Sequence, residues 1–195
     1  MTAERLPAWV FPPPGGFTAD DLDRIPDLPP HSELIDGSLV FVGPQKSFHT
    51  LAMFLLEVGL RSQSPGHLRV RREMTVVVDR NSRPEPDLVV IRQEAVPATG
   101  HAETAYQAED VVLAVEVVSP ESAARDRKRK PLLYAGAGIP HFWLVERTDS
   151  GRPAIHTYEL DRVGEKYELT GIHHDHLKLS APFTLDIDLT EIDAM

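Results

Sequence analysis

Two acids set into apolar sequence have the clearest capacity for chemistry: Asp87, at the entry to residues 88–91, and Glu116, inside residues 111–118. The second run carries Val, Leu and Ala on both alternating faces. That pattern predicts a central strand covered on each side, where a lone carboxylate is costly unless it is paired. Residues 88–91 predict another buried strand, entered through Pro86-Asp87. The polar connection 92–110 permits antiparallel pairing, which sets the start of one strand beside the end of the other and makes the carboxylates neighbours. Two carboxylates about 5 Å apart at an effective dielectric of about 20 repel by roughly 3 kcal/mol. The site therefore calls for a cation, and a metal is the expected one.

The next segment supplies further polar groups. Ser119-Pro120 ends the strand, and residues 122–135 carry helix formers with a basic cluster of Arg125, Arg127, Lys128, Arg129 and Lys130. Pro131 fits only the first turn, so the regular helix is expected to begin near 126–130. Gly136 and Gly138 stop it, Ile139-Pro140 turns the chain, and residues 142–145 read as a buried strand. A strand–helix–strand unit of this kind returns as a right-handed crossover into a parallel pair. Its helix starts at the end of the strand bearing Glu116 and brings Lys130 over the two acids. Read without that context, Asp126 is a helix cap, Asp87 a strand-entry turn residue and Lys130 a surface lysine.

The remaining elements frame this centre. Thr18 with Asp20 and Asp21 predicts a short helix ending by Pro26, and Asp36-Gly37 predicts a hairpin between residues 33–35 and 39–42. Phe48, Leu51, Ala52, Leu55, Leu56 and Leu60 recur at helical spacing, predicting a helix over 47–62 with Ser47 as its cap. His49 in its first turn reads as a capping or packed histidine. Residues 68–78 read as one strand, with Val70, Arg72, Met74 and Val76 on one face, followed by a turn at 81–83. Residues 154–158 and 166–169 predict a second hairpin, and 183–189 an edge strand or extended tail. The cluster His173, His174, Asp175, His176 reads as an exposed polar turn, since no third and fourth ligand at finger-like spacing accompanies it. Residues 1–16, with Pro12-Pro13-Pro14 and Gly15-Gly16, read as a flexible Pro-rich arm.

Composition bounds the class. With 195 residues and 42% hydrophobic content, residues 17–195 are expected to form one domain. A net charge of −10 argues against nonspecific coating of nucleic acid, so any phosphate contact must be local. Residues 121–130 are a local exception: five basic less two acidic side chains leave +3. The absence of cysteine removes disulfides, thiolate nucleophiles and cysteine-bound zinc. There is no long apolar run and no leader-like start, so a cytoplasmic protein off the membrane is expected. No phosphate-cradling glycine loop, Gly-x-Ser-x-Gly elbow or His-Glu-x-x-His pair occurs.

Taken in order, Glu33-Leu34-Ile35-Asp36-Gly37, His49, Pro86-Asp87, Glu116-Val117-Val118-Ser119-Pro120, Asp126 with Lys130, Tyr134-Ala135, Gly138-Ile139-Pro140 and Trp143-Leu144-Val145 resemble the Uma-type putative restriction endonuclease family. That family lies in the PD-(D/E)XK nuclease-like superfamily, and the resemblance runs from about residue 18 to 190. It implies an α/β (α+β) fold, a restriction-endonuclease-like mixed sheet flanked by helices with extra hairpins. It also implies that Asp87 and Glu116 hold Mg²⁺ or Mn²⁺, with Lys130 as the superfamily's lysine and Glu33 as an accessory acid. The usual place for that lysine, two residues after the second acid, is Val118, so the helix must supply it. An oxygen-only donor set suits a hard cation, and the Val117 carbonyl is a further candidate ligand. The implied reaction is hydrolysis of nucleic-acid phosphodiesters, with DNA the expected partner and a homodimer expected by analogy. Two other readings are a catalytically silent nuclease-fold module that binds nucleic acid or protein, and a hydrolase of smaller phosphodiesters. Metal uptake separates the silent module from the other two.

Overall fold

The structure, a computed structural model, describes Pro7, residues 10–99 and residues 102–195. Half of the arm expected over residues 1–16 thus lies outside the described residues. Its last residues are held in place: the Phe17 N–H donates to the Gly37 carbonyl over 2.8 Å, and Phe17 is buried. Gly16 lies so close to Gly37 that an added Cβ would meet its carbonyl oxygen at 2.9 Å.

The predicted first hairpin is present as β1 (Ser32–Ile35) and β2 (Ser38–Phe41), antiparallel around Asp36-Gly37, both at positive φ. Helix α1 spans Ser47–Gln63. Its cap is Lys46, which gives no side-chain cap, and Ser47 is the first helical residue rather than the expected cap. The segment read as one strand over 68–78 is two, β3 (Leu68–Arg72) and β4 (Thr75–Val77). Glu73, at a φ of 50°, interrupts it with a local kink and no change of direction: the Glu73 N–H donates to the Asp87 carbonyl and the Val76 N–H to the Pro84 carbonyl, in the register of β3, yet Val70 and Val76 enter different cores.

The centre is a six-stranded sheet in the order β10–β9–β8–β7–β5–β3. Its further strands are β5 (Leu88–Arg92), β7 (Val111–Val117), β8 (His141–Arg147), β9 (Pro153–Asp161) and β10 (Lys166–His173). β5 and β7 are antiparallel, with Leu88 opposite Val115, as the apolar runs predicted. β7 and β8 are the parallel pair, and the other pairs in the sheet are antiparallel. The crossover between β7 and β8 is not one regular helix over 122–135. Arg125–Arg129 forms a wide π turn that runs on into α2 (Lys130–Gly136), so Pro131 lies inside a continuous helical run, at the seam between the wide turn and α2.

Alternation along the strands separates two cores. Leu88, Val90, Leu113, Val115, Trp143 and Val145 face α1. Val89, Ile91, Ala114, Phe142 and Leu144 face Tyr134 of α2 and Ile139. β4 pairs in parallel with β6 (Ala105–Gln107) on this second side. The end of the chain is not an edge of the main sheet: β11 (His176–Leu179) and β12 (Leu185–Asp188) form their own ribbon, and residues 189–194 wind into a 3₁₀ turn. Leu177, Leu185, Ile187 and Leu189 fill the α1 side.

Candidate active site

Glu116 alternates with Ala114 and so faces α2, the side to which Val89 also points. Asp87, two residues before Val89, is brought beside it. Its Oδ2 accepts a 2.6 Å hydrogen bond from the N–H of Val117, the residue after Glu116. Asp87 thus bonds to the residue after Glu116, and its charge acts on the Glu116 carboxyl, while its side-chain contacts are with the Val117 N–H and His49. α2 closes the cluster from above. Lys130 Nζ lies 2.6 Å from Glu33 Oε1 of β1 and 2.9 Å from Glu116 Oε2. Asp126 Oδ1 is 3.6 Å away, one helical turn before the lysine. Of the four predicted site side chains, Glu33, Glu116 and Lys130 are in direct contact, and Asp87, just before β5, lies alongside through the Val117 N–H.

The expectation that only a metal could make this pocket comfortable needs correction. Lys130 sits among Glu33, Glu116 and Asp126, and the Tyr134 hydroxyl donates to Glu116 Oε1 over 2.6 Å. The Glu85 N–H donates to Glu33 Oε1 over 2.9 Å. On the open side, His49 Nε2 of α1 lies 2.8 Å from Asp87 Oδ1, close enough for an ion pair but off the axis of a hydrogen bond. The chain thus supplies its own cations. Of the basic cluster, Lys130 is buried, Arg127 pairs with Glu146, and Arg129 pairs with Asp36. Little of that run is left as a free phosphate-binding face.

The balance of charge is incomplete. Three carboxylates face one ammonium, and the Asp126 Oδ1 atom is buried with no hydrogen-bond partner. Burial pushes the Glu116 carboxyl well above the usual range, against the pull of Lys130 and with the push of Asp126 and Asp87. Burial also raises Asp126. Burial opposes charge on Lys130, yet Glu116, Glu33 and Asp126 hold its ammonium well above the ordinary lysine value. His49 is likewise disfavoured as a cation by burial, but Asp87 raises it above the ordinary imidazole value. The excess negative charge is thus met by a proton held in the cluster, or by an added cation.

Access is uneven. Glu33, Glu116 and Lys130 are each 3% exposed or less. Asp87 alone of the four lines an open cleft, of about 370 Å³, shared with His31, Glu73 and Glu85. Among the described residues, no group of three or more acids and histidines is arranged to hold a metal ion by side chains alone.

Sequence reasoning gave no role to Tyr134 and read His49 and Asp126 as structural. A signal was present for two of them: Asp126, Lys130 and Tyr134 are spaced i, i+4, i+8 and share one face of the crossover. Nothing local marks His49, which reaches Asp87 only because α1 packs on the sheet.

Comparison with curated proteins gives no match. Among solved structures, the chain is similar to a putative nuclease belonging to DUF820 from Anabaena variabilis ATCC 29413, with a TM-score of 0.69 and 18% identity over 91% of this chain and 98% of that one. At that identity the likeness establishes the mixed-sheet nuclease-like fold. The model of the Uma2 family, described as putative restriction endonuclease, matches residues 19–191. With that match running from the turn after Thr18 to the closing 3₁₀ turn, the chain belongs to the Uma2 putative restriction endonuclease family.

Proposed function

We propose that the protein is a metal-dependent endonuclease that hydrolyses phosphodiester bonds in nucleic acid, DNA first, with Asp87 and Glu116 as the metal-holding acids. The observation that carries this reading is the meeting of Lys130 with Glu33 and Glu116, at 2.6 and 2.9 Å, beside Asp87. Residues from four separate segments converge there, far from what packing alone requires.

The donor set fits a hard divalent cation in charge and in kind: carboxylate oxygens in excess of the ammonium, one of them without a hydrogen bond, and no sulfur. Asp87, Glu116 and the Val117 carbonyl would hold Mg²⁺ or Mn²⁺. When bound, such an ion polarises a phosphate oxygen and lowers the pKa of a coordinated water. The chain's own residues do the rest. Tyr134 and Lys130 each fix one oxygen of Glu116, and the Val117 N–H and His49 fix those of Asp87, so both carboxylates are oriented in advance. Lys130 also keeps a proton-bearing cation where negative charge would build during attack.

One observation favours a second reading, a silent module that binds nucleic acid or a protein: Glu33, Glu116 and Lys130 are closed off and paired with one another. Calorimetric titration with Mn²⁺ of wild type and Asp87→Asn decides between them, together with plasmid and single-stranded DNA cleavage by wild type, Glu116→Gln and Lys130→Ala. Metal uptake lost in Asp87→Asn, with cleavage lost in the other two, supports the endonuclease. No uptake by wild type leaves the binding module.

A further inference from the structure

Beside the acid cluster lies a second, larger cavity of about 690 Å³, walled by the start of α1, the turn after β7 and the closing 3₁₀ turn. We propose that it is a subsite for one unpaired nucleotide of the nucleic-acid strand. The phosphate sits at the N-terminus of α1, and the base lies on the apolar wall of Phe48, Leu51 and Pro120. The identity of the substrate rests on the nuclease reading; the location of the subsite rests on observations of its own.

Four of these converge. First, α1 is 17 residues long and its cap, Lys46, offers no side-chain acceptor. The leading N–H groups of a helix have no partner within it, and Ser47, Phe48 and His49, which carry them, line this cavity. Such an end attracts phosphate. Second, the His49 ring, 4% exposed, forms part of the wall, and neither of its nitrogens completes a well-aligned hydrogen bond, with Asp87 and the Val117 backbone as its polar neighbours. A buried polar atom without a partner is a standing cost that an occupant can remove. Third, the free charge of the wall is positive although the chain carries −10. Its acids are taken, Glu146 by Arg127 at 2.6 Å and Asp193 by Arg152, whereas Lys46 and Arg147, both exposed, have no ion-pair partner among the described residues. Fourth, the volume is that of a small-ligand site, roughly 300–1,000 Å³. A duplex is recognised over a far wider surface, roughly 1,000–2,500 Å², and its bases cannot enter a concavity without leaving the stack.

The position gives the subsite its purpose. His49 touches Asp87 at 2.8 Å with one ring nitrogen and forms the cavity wall, so a nucleotide held here lies immediately beside the strand segment presented to Asp87. Substrates with unpaired nucleotides, such as single strands, flaps or frayed ends, are therefore favoured over intact duplex.

The test uses the full chain without metal, followed by two-dimensional NMR during titration with deoxyadenosine monophosphate, deoxyadenosine or inorganic phosphate. We expect the monophosphate to bind most tightly and to shift the signals of Phe48, His49 and Arg147. Phe48→Leu, which keeps apolar volume but removes the ring, weakens the monophosphate about tenfold and leaves phosphate unchanged. Lys46→Ala with Arg147→Ala, both at exposed positions, weakens the monophosphate and phosphate alike. Labelled single-stranded and duplex oligonucleotides of one sequence report the same preference by anisotropy. The proposal is overturned if the monophosphate moves none of these signals, or if its affinity is unchanged in both sets of variants. Mononucleotide binding without cleavage of any nucleic acid would sink the nuclease reading and keep the subsite. Cleavage that survives Phe48→Leu, with no mononucleotide binding, would do the reverse.

Discussion

At the scale of single residues, the cluster is governed by the imbalance between three buried carboxylates and one ammonium. Replacing Lys130 by Met leaves Glu33, Glu116 and Asp126 without a cation and is expected to cost about 3–5 kcal/mol in urea denaturation. Adding Glu116→Gln should recover part of that loss, since one of the acids that lost its partner is then gone; a strictly additive loss would refute the coupling. Tyr134→Phe removes the donor to Glu116 Oε1 and is expected to cost about 1–3 kcal/mol. His49 carries a pH dependence of a definite sign. Its folded pKa is raised, so it contributes stability that is complete below the unfolded value of about 6.5 and is lost as pH rises through the folded value. NMR titration of metal-free protein should find this histidine above about 6.5, and Asp87→Asn should lower it. A His49 that titrates unchanged in that variant would remove Asp87 as its partner.

At the scale of elements, the same substitution is expected to act with opposite sign in the two helices. Gly59, in the interior of α1, faces β12 so closely that an added Cβ would lie 2.4 Å from Ile187 Cδ1. Gly59→Ala therefore trades a gain in helix propensity for overpacking and should lose about 1–3 kcal/mol. At Gly136, the last residue of α2, an added Cβ meets nothing within 4 Å, and Gly136→Ala should stabilise by up to about 1 kcal/mol. Thermal melts of the two variants check the contrast. If both shift the same way, the α1–β12 contact is looser than described. The elements also explain where sequence reading failed. The periodicity of 68–78 continues through Glu73 as though one strand persisted, because a kink at a single residue of positive φ leaves no mark on apolar spacing. The crossover helix was legible in composition, but its wide turn over Arg125–Arg129 was not.

At the scale of the whole molecule, Arg83 joins the segment before β1 to the β4–β6 pair. It is buried and bonds to Asp23, the Ala19 carbonyl, Thr75 and Thr104. Arg83→Met should cost about 2–3 kcal/mol. Asp23 is held below the usual carboxylate range by the Arg83 guanidinium, against its partial burial. A depressed folded pKa contributes stability above the unfolded value of about 3.9, lost as pH falls through the folded value. Asp23→Asn should thus flatten the acid limb of the stability curve relative to wild type, and an unchanged limb would count against the pair. Across the described residues no helix is long and apolar enough to cross a membrane.

Sequence alone determined the antiparallel pairing of 88–91 with 111–118, the parallel return at 142–145 and the acids those strands carry. Continuous apolar runs at 88–91 and 111–118 can only be buried, and burial forces Asp87 and Glu116 to find partners. It also placed Lys130 on the crossover and Glu33 in the first hairpin. What the tertiary structure alone decided is who those partners are. Lys130, Tyr134 and His49 reach the acids because α2 and α1 pack on the sheet, and contacts between segments so distant in the chain are set by packing, not by local spacing.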